Sequence, residues 1–126
     1  MRSTLKRVLV AATLLVSAQV TLAADPVKFG LCYDLTKIYV AAVPQLAQAV
    51  KDYADLLNAR GGLEGHPIEV TVQDHGNEPQ RGIDCYERLK REGTMVFDFF
   101  STPVSRAVLP RIDLHSTPFL TLPGGT

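Results

Sequence analysis

The sequence carries no excess of charge of either sign. Lys plus Arg and Asp plus Glu number 13 each, and after residue 7 no uninterrupted basic run exceeds the pair Lys90-Arg91. Nothing is left over to form an electrostatic footprint for nucleic acid. Cysteine is scarce: Cys32 and Cys85 are the only two, too few for a small scaffold built on disulfides. No apolar run reaches the ~20 residues that a membrane-spanning helix needs. There is no phosphate loop and no G-x-G-x-x-G, and Gly61-Gly62 follows a helical pattern, where it cannot serve as a dinucleotide turn. No cofactor is implied. No G-x-S-x-G elbow surrounds Ser101, which weakens any reading of it as a nucleophile.

What is present is the composition of a globular protein. Of 126 residues, 46 % are apolar and 21 % charged, so the chain can bury one small core. The even charge balance hides a split. Residues 1–24 contain Arg2, Lys6 and Arg7 and no acid, which leaves 10 basic and 13 acidic groups in residues 25–126. A positive start, an apolar core over Val8 to Val16 and small residues at Thr21-Leu22-Ala23-Ala24 are the three parts of a cleavable export signal. The division expected is residues 1–24 as signal peptide and 25–126 as the folded part. No Cys directly follows the apolar core, so a soluble protein of the periplasm is expected rather than a lipid-anchored one. Export permits a bridge between Cys32 and Cys85, but two buried thiols, on a strand and a helix, are the plainer expectation, because spacing alone does not fix geometry.

Periodicity gives the element order. Val27 to Cys32 is a short apolar run bounded by Pro26 and Asp34, as in a buried strand. Val43, Leu46, Ala47, Val50, Tyr53, Ala54 and Leu57 recur at helical spacing, with Pro44 in the first turn and Gly61-Gly62 as the stop. Ile68 to Gln73 alternates apolar and polar residues, the pattern of a half-buried strand near a sheet edge. Pro79 opens a second helix that Gly93 ends, with Ile83, Tyr86 and Leu89 inward. Met95 to Phe100 is a third strand. Ser101-Thr102-Pro103 is the start of a third helix, a hydroxyl cap followed by Pro, although Pro110 is expected to kink or shorten that helix. Pro118 to Leu122 is a fourth strand. Strands alternating with helices across short connections predict an α/β fold, a doubly wound parallel sheet with helices on both faces. The last strand has no helix after it, so the lobe is expected to be incomplete.

In such sheets ligands bind beyond the carboxyl ends of the strands. Four loops fall on that edge: Cys32 to Thr36, Asp74 to Asn77, Phe100 to Thr102, and Gly124 to Thr126. Ser101 and Thr102 sit at a helix N-terminus, suited to a carboxylate, although capping alone also accounts for them. Gly124 and Thr126 offer a close backbone approach and a hydroxyl. Asp74-His75 is a pair of the kind that holds metals or moves protons, but a metal needs further ligands, and a hydrogen-bonded turn is the plainer reading. A triad of Ser101, His75 and Asp74 is a weak alternative. His66 and His115 look structural.

Several stretches resemble the periplasmic binding proteins for branched-chain amino acids and related solutes. Leu35-Thr36 is similar to that family's turn after the first strand, with Lys37 in place of its Gly. Leu57 to Glu69, reading LNARGGLEGHPIE, is the most specific match. Asp74, Arg88-Leu89, Ser101-Thr102 and Pro123 to Thr126 fall at further family positions. The resemblance implies a two-lobed protein that captures an amino acid or similar small molecule and delivers it to an ABC permease in the inner membrane, with no catalysis. Carried over by position, Ser101 or Thr102 would hold the ligand's carboxylate, and Gly124 and Thr126 the carboxylate or ammonium. Asp98-Phe99-Phe100 departs from the family's Gly-rich strand end. A sensor ectodomain on the same lobe is the alternative within binding, and an exported α/β hydrolase the alternative outside it.

Overall fold

The computed structural model describes residues 24–121. In chain order the elements are β1 (Val27–Tyr33), α1 (Val43–Ala59), β2 (Ile68–Asp74), α2 (Pro79–Arg91), β3 (Val96–Phe100), α3 (Thr102–His115) and β4 (Phe119–Thr121). The strands form one sheet in the order β2-β1-β3-β4, and all its pairings are parallel. The chain thus starts in the middle of the sheet, steps to one side, and crosses back to the other. That crossing makes a switch point between β1 and β3, the place where open α/β sheets bind ligands.

Side chains alternate across the sheet. One face carries Leu31, Tyr33, Val70, Val72 and Phe100, which pack with Val43, Ala47, Leu46 and Val50 of α1. The other carries Cys32, Phe97 and Phe99, which pack with Tyr86 and Leu89 of α2 and with Val104, Val108 and Ile112 of α3. Tyr86, Leu89, Phe97 and Phe99 are fully buried, each worth roughly 1.5–3 kcal/mol relative to exposure. Gly82 allows α2 and α3 to meet: a Cβ there would lie 2.1 Å from a Val104 methyl.

The helix ends explain why the elements stop where they do. After α1, Gly62 N–H bonds to Leu57 O and Gly61 N–H to Asn58 O. After α2, Thr94 N–H bonds to Leu89 O and Gly93 N–H to Lys90 O. Both are Schellman closures with glycine in the left-handed position (φ +106° at Gly61, +88° at Gly93). After α3 the same pair of bonds runs from Thr117 to Ile112 and from Ser116 to Asp113, with Ser116 left-handed at φ 47°.

Three expectations are corrected. Tyr53 is 62 % exposed, because at 100° per residue it lies about 80° from the centre of the α1 stripe. Pro110 neither shortens nor ends α3, which runs on to His115. It lies exposed, as does Arg106 one turn earlier, so water can satisfy the carbonyl that its missing N–H leaves open. Cys32 and Cys85 are not a pair of buried thiols. They form a disulfide that ties β1 to α2, with Cα atoms 6.3 Å apart.

Candidate ligand edge of the sheet

Three of the four loops expected at the carboxyl edge lie within the described residues, and hydrogen bonds join them. Asp74, the last residue of β2, gathers the first two. Its Oδ1 accepts from Leu35 N–H at 3.0 Å and Gly76 N–H at 2.9 Å, and its Oδ2 from the Thr36 hydroxyl at 2.8 Å. The Arg81 guanidinium approaches the same Oδ2 at 3.4 Å and donates to Asp74 O at 2.9 Å. Burial acts to raise the Asp74 carboxyl, but these donors and the cation outweigh it and hold it below the usual carboxylate range. Lys37 adds an ion pair to Glu78 at 3.1 Å, again from the β1–α1 loop to the β2–α2 loop.

Asp34 follows β1 and is fully buried. Its carboxylate folds back on its own loop and accepts from Lys37 N–H at 2.8 Å, Tyr39 N–H at 3.1 Å and Thr36 N–H at 3.3 Å. Here too burial raises the pKa and the converging backbone N–H groups lower it further than burial lifts it. In the sequence Asp34 stood only as a strand boundary. The signal that could have found it is an Asp directly after an apolar run, the position from which a carboxylate caps the following turn.

The third loop is tied on through Ser101, whose hydroxyl donates to Asn77 Oδ1 at 2.6 Å and accepts from Val104 N–H at 3.3 Å. Capping of α3 by Ser101 is therefore real, and it coexists with a bond to the neighbouring loop. Asn77 is itself left-handed at φ 56°. Its N–H donates to His75 Nδ1 at 3.0 Å, and His75 N–H donates to Tyr33 O at 2.8 Å. His75 is fully buried. Ser101, His75 and Asp74 do not form a nucleophilic chain, since the Ser101 hydroxyl goes to Asn77 and the Asp74 carboxylate to the β1–α1 loop. Thr102 opens α3. Gly124 and Thr126 lie outside the described residues.

Beneath this edge, Asp98 of β3 and Tyr33 of β1 share one face of the sheet. The Tyr33 hydroxyl donates to Asp98 Oδ2 at 2.6 Å. Burial raises both groups, the tyrosine above its ordinary value and the aspartate above 3.8. Asp98 thus takes the polar partner that a Gly-rich strand end would lack. The remaining histidines have structural neighbours: His66 Nδ1 lies 2.9 Å from Asp25 O, and His115 Nδ1 2.9 Å from the Tyr86 hydroxyl. Among the described residues no helix is long and apolar enough to cross a membrane.

The family profile for the periplasmic binding protein matches residues 26–126, the whole of this parallel sheet and its helices. The chain belongs to the periplasmic binding protein family. Among solved structures it is similar to a fatty acid ABC transporter substrate-binding protein from Thermomonospora curvata, with 31 % identity and a TM-score of 0.73 over 77 % of this chain and 25 % of that one. The fold is shared with the isoleucine complex of LivJ, a branched-chain amino acid transporter substrate-binding protein from Streptococcus pneumoniae, at 20 % identity and TM-score 0.63 over 77 % and 28 % of the two chains. It is shared as well with an ABC transporter solute-binding protein from Rhodopseudomonas palustris in complex with 3,4-dihydroxybenzoic acid, at 22 % identity and TM-score 0.66 over 78 % and 27 %. This periplasmic binding protein chain spans about a quarter of the length of these structures. No curated protein matches it.

Proposed function

We propose that the chain is the N-terminal part of the first lobe of a substrate-binding component of an ABC transporter, exported to the periplasm, where it captures a small carboxylate-bearing solute without transforming it. The observation that carries this reading is the binding of three loops into one platform at the carboxyl edge, with the Ser101 hydroxyl at the N-terminus of α3. The similarity to a fatty acid binder at 31 % identity supports the transport role and a carboxylate ligand. Ser101 and Thr102 are the ligand residues on this platform, and Gly124 and Thr126 the second pair. Because the Ser101 proton is engaged by Asn77, its oxygen is free to accept a ligand N–H, such as that of an ammonium, rather than to donate to a carboxylate.

The test uses a protein of the length of the relatives, with this chain as its N-terminal quarter, titrated calorimetrically with L-leucine, octanoate and 3,4-dihydroxybenzoate. At least one is expected to bind, and Ser101→Ala or Thr126→Ala to weaken it roughly 10- to 100-fold, the value of one hydrogen bond to a charged group. Unchanged affinity in both variants would move the site elsewhere. Export is checked separately: N-terminal sequencing of the periplasmic protein is expected to start at Ala24 or Asp25, and an intact Met1 on membrane-bound protein would overturn the signal peptide.

A further inference from the structure

We propose that His75 is a positioning residue for the ligand edge, its unprotonated Nδ1 holding the Asn77 backbone so that the Asn77 carboxamide aims the Ser101 hydroxyl. The inference rests on the reading that Ser101 faces the ligand. Three bonds in series carry it. His75 is anchored by its own N–H to Tyr33 O at 2.8 Å, its Nδ1 accepts from Asn77 N–H at 3.0 Å, and Asn77 Oδ1 accepts from the Ser101 hydroxyl at 2.6 Å. Asn77 adopts φ 56°, a left-handed conformation that asparagine reaches more readily than other non-glycine residues. The bond from its N–H to His75 Nδ1 holds the turn in that conformation.

The first bond requires a lone pair on Nδ1, so the proton of the neutral ring sits on Nε2. An imidazolium has N–H groups at both nitrogens. The Asn77 N–H would then face another donor, the left-handed turn would lose its hold, and the Ser101 hydroxyl would lose a fixed acceptor. The groups acting on the ring come from every side. Burial is the largest and disfavours the charged form. Asp34 of the β1–α1 loop, Asp74 of β2 and the backbone of Cys32 favour it, and Arg81 of α2 opposes it. The β3–α3 junction contributes Ser101, which does not titrate. The balance keeps the ring neutral to below its ordinary 6.5, so the relay is intact at neutral pH and breaks as pH falls through the ring's own midpoint.

The experiment needs no ligand in its first arm. The 126-residue chain is titrated by NMR from about pH 8 to about pH 5, the range in which histidines charge, following the His75 ring and the amides of Asn77, Val104 and the remote Gly93. Asn77 and Val104 are expected to shift with the midpoint of His75 while Gly93 stays. In His75→Gln, whose side-chain oxygen can accept without titrating, the Asn77 and Val104 step is expected to vanish. Asn77→Asp, which keeps an acceptor oxygen, is expected to retain the Val104 amide position that Asn77→Ala loses. Stationary Asn77 and Val104 amides through the His75 titration, or a step that persists in His75→Gln, would overturn the proposal. The native titration decides even if a variant does not fold. In the second arm the relatives-length protein is titrated with L-leucine, whose ammonium can donate to the Ser101 oxygen, and with octanoate, which has no such donor. Below the midpoint, L-leucine affinity is expected to fall in the native protein and not in His75→Gln, by up to the roughly 10- to 100-fold that one hydrogen bond to a charged group is worth. Octanoate affinity is expected not to fall. An L-leucine affinity that ignores pH in both proteins would overturn the link to binding. If neither probe binds at any pH, the carboxylate reading fails, while the amide shifts still decide the relay.

Discussion

At the scale of single residues, two carboxylates shape the ligand edge: Asp74, half-buried, collects backbone and hydroxyl donors together with the Arg81 cation, and Asp34, fully buried, collects backbone donors. Asp34 shows the physics most plainly. A buried carboxylate without partners is costly, but three backbone N–H groups at 2.8–3.3 Å replace its water. Asp34→Ala removes the acceptor and strands those N–H groups, and is expected to destabilise the fold by about 1–3 kcal/mol, read from chemical denaturation. The pH dependence has a definite sign. The folded-state pKa lies below the ordinary 3.8, so the contribution is complete above that value and is lost as pH falls through the lower folded value. The native chain should therefore lose stability below about pH 4, and Asp34→Ala should lose less over the same interval. Equal acid sensitivity in the two would show that Asp34 does not organise the loop.

At the scale of elements, the disulfide and the helix ends do different work. The bridge from Cys32 to Cys85 closes 53 residues of sequence, and it pins α2 to the central strand just below the β2–α2 loop. Replacing both cysteines by alanine is expected to lower stability by about 2–4 kcal/mol, as closing a loop of that length constrains the unfolded chain. A change under 1 kcal/mol, on the order of a surface substitution, would show that the bridge is not formed in solution. Most elements were legible in the sequence because local rules set them: period 3.6 in α1, alternation in β2, glycine at the ends of α1 and α2, and Pro after a hydroxyl at α3. The bridge was not legible, because it depends on how far apart β1 and α2 settle, and that distance belongs to the packed sheet. The site was legible only in part. Its loops follow from the strand ends, and Ser101 from its capping signature. Asp34 and Asn77 owe their roles to bonds with loops and backbone that no periodicity marks, and His75 to burial that a polar stretch does not announce.

At the scale of the whole molecule, the two faces of the sheet are unequally covered. On one, α2 and α3 pack against each other and over β1 and β3, and Phe97 and Phe99 are fully buried. On the other, α1 lies over β1 and β2. Toward β4 that second face ends in Leu120, 54 % exposed, beside β3, whose preceding residue Met95 is also 54 % exposed. Phe97 and Phe99 of β3 are thus covered, and the bare apolar surface of the sheet is Leu120 and its surroundings. Coverage matters for binding as well. The platform at the carboxyl edge is one wall, and sites for small molecules bury roughly 70–90 % of their ligand between walls. A solute resting on one wall keeps most of its hydration, so its charged groups gain little from the loops in high dielectric. The 126-residue chain is therefore expected to bind L-leucine or octanoate no tighter than millimolar, while the relatives-length protein binds its ligand far more tightly. Calorimetry on the monomeric chain checks this, with light scattering to exclude association through the Leu120 face, and Leu120→Thr, which removes the apolar side chain, to suppress that association. Micromolar binding by the monomer would overturn the expectation and would mean that this chain alone carries the whole site.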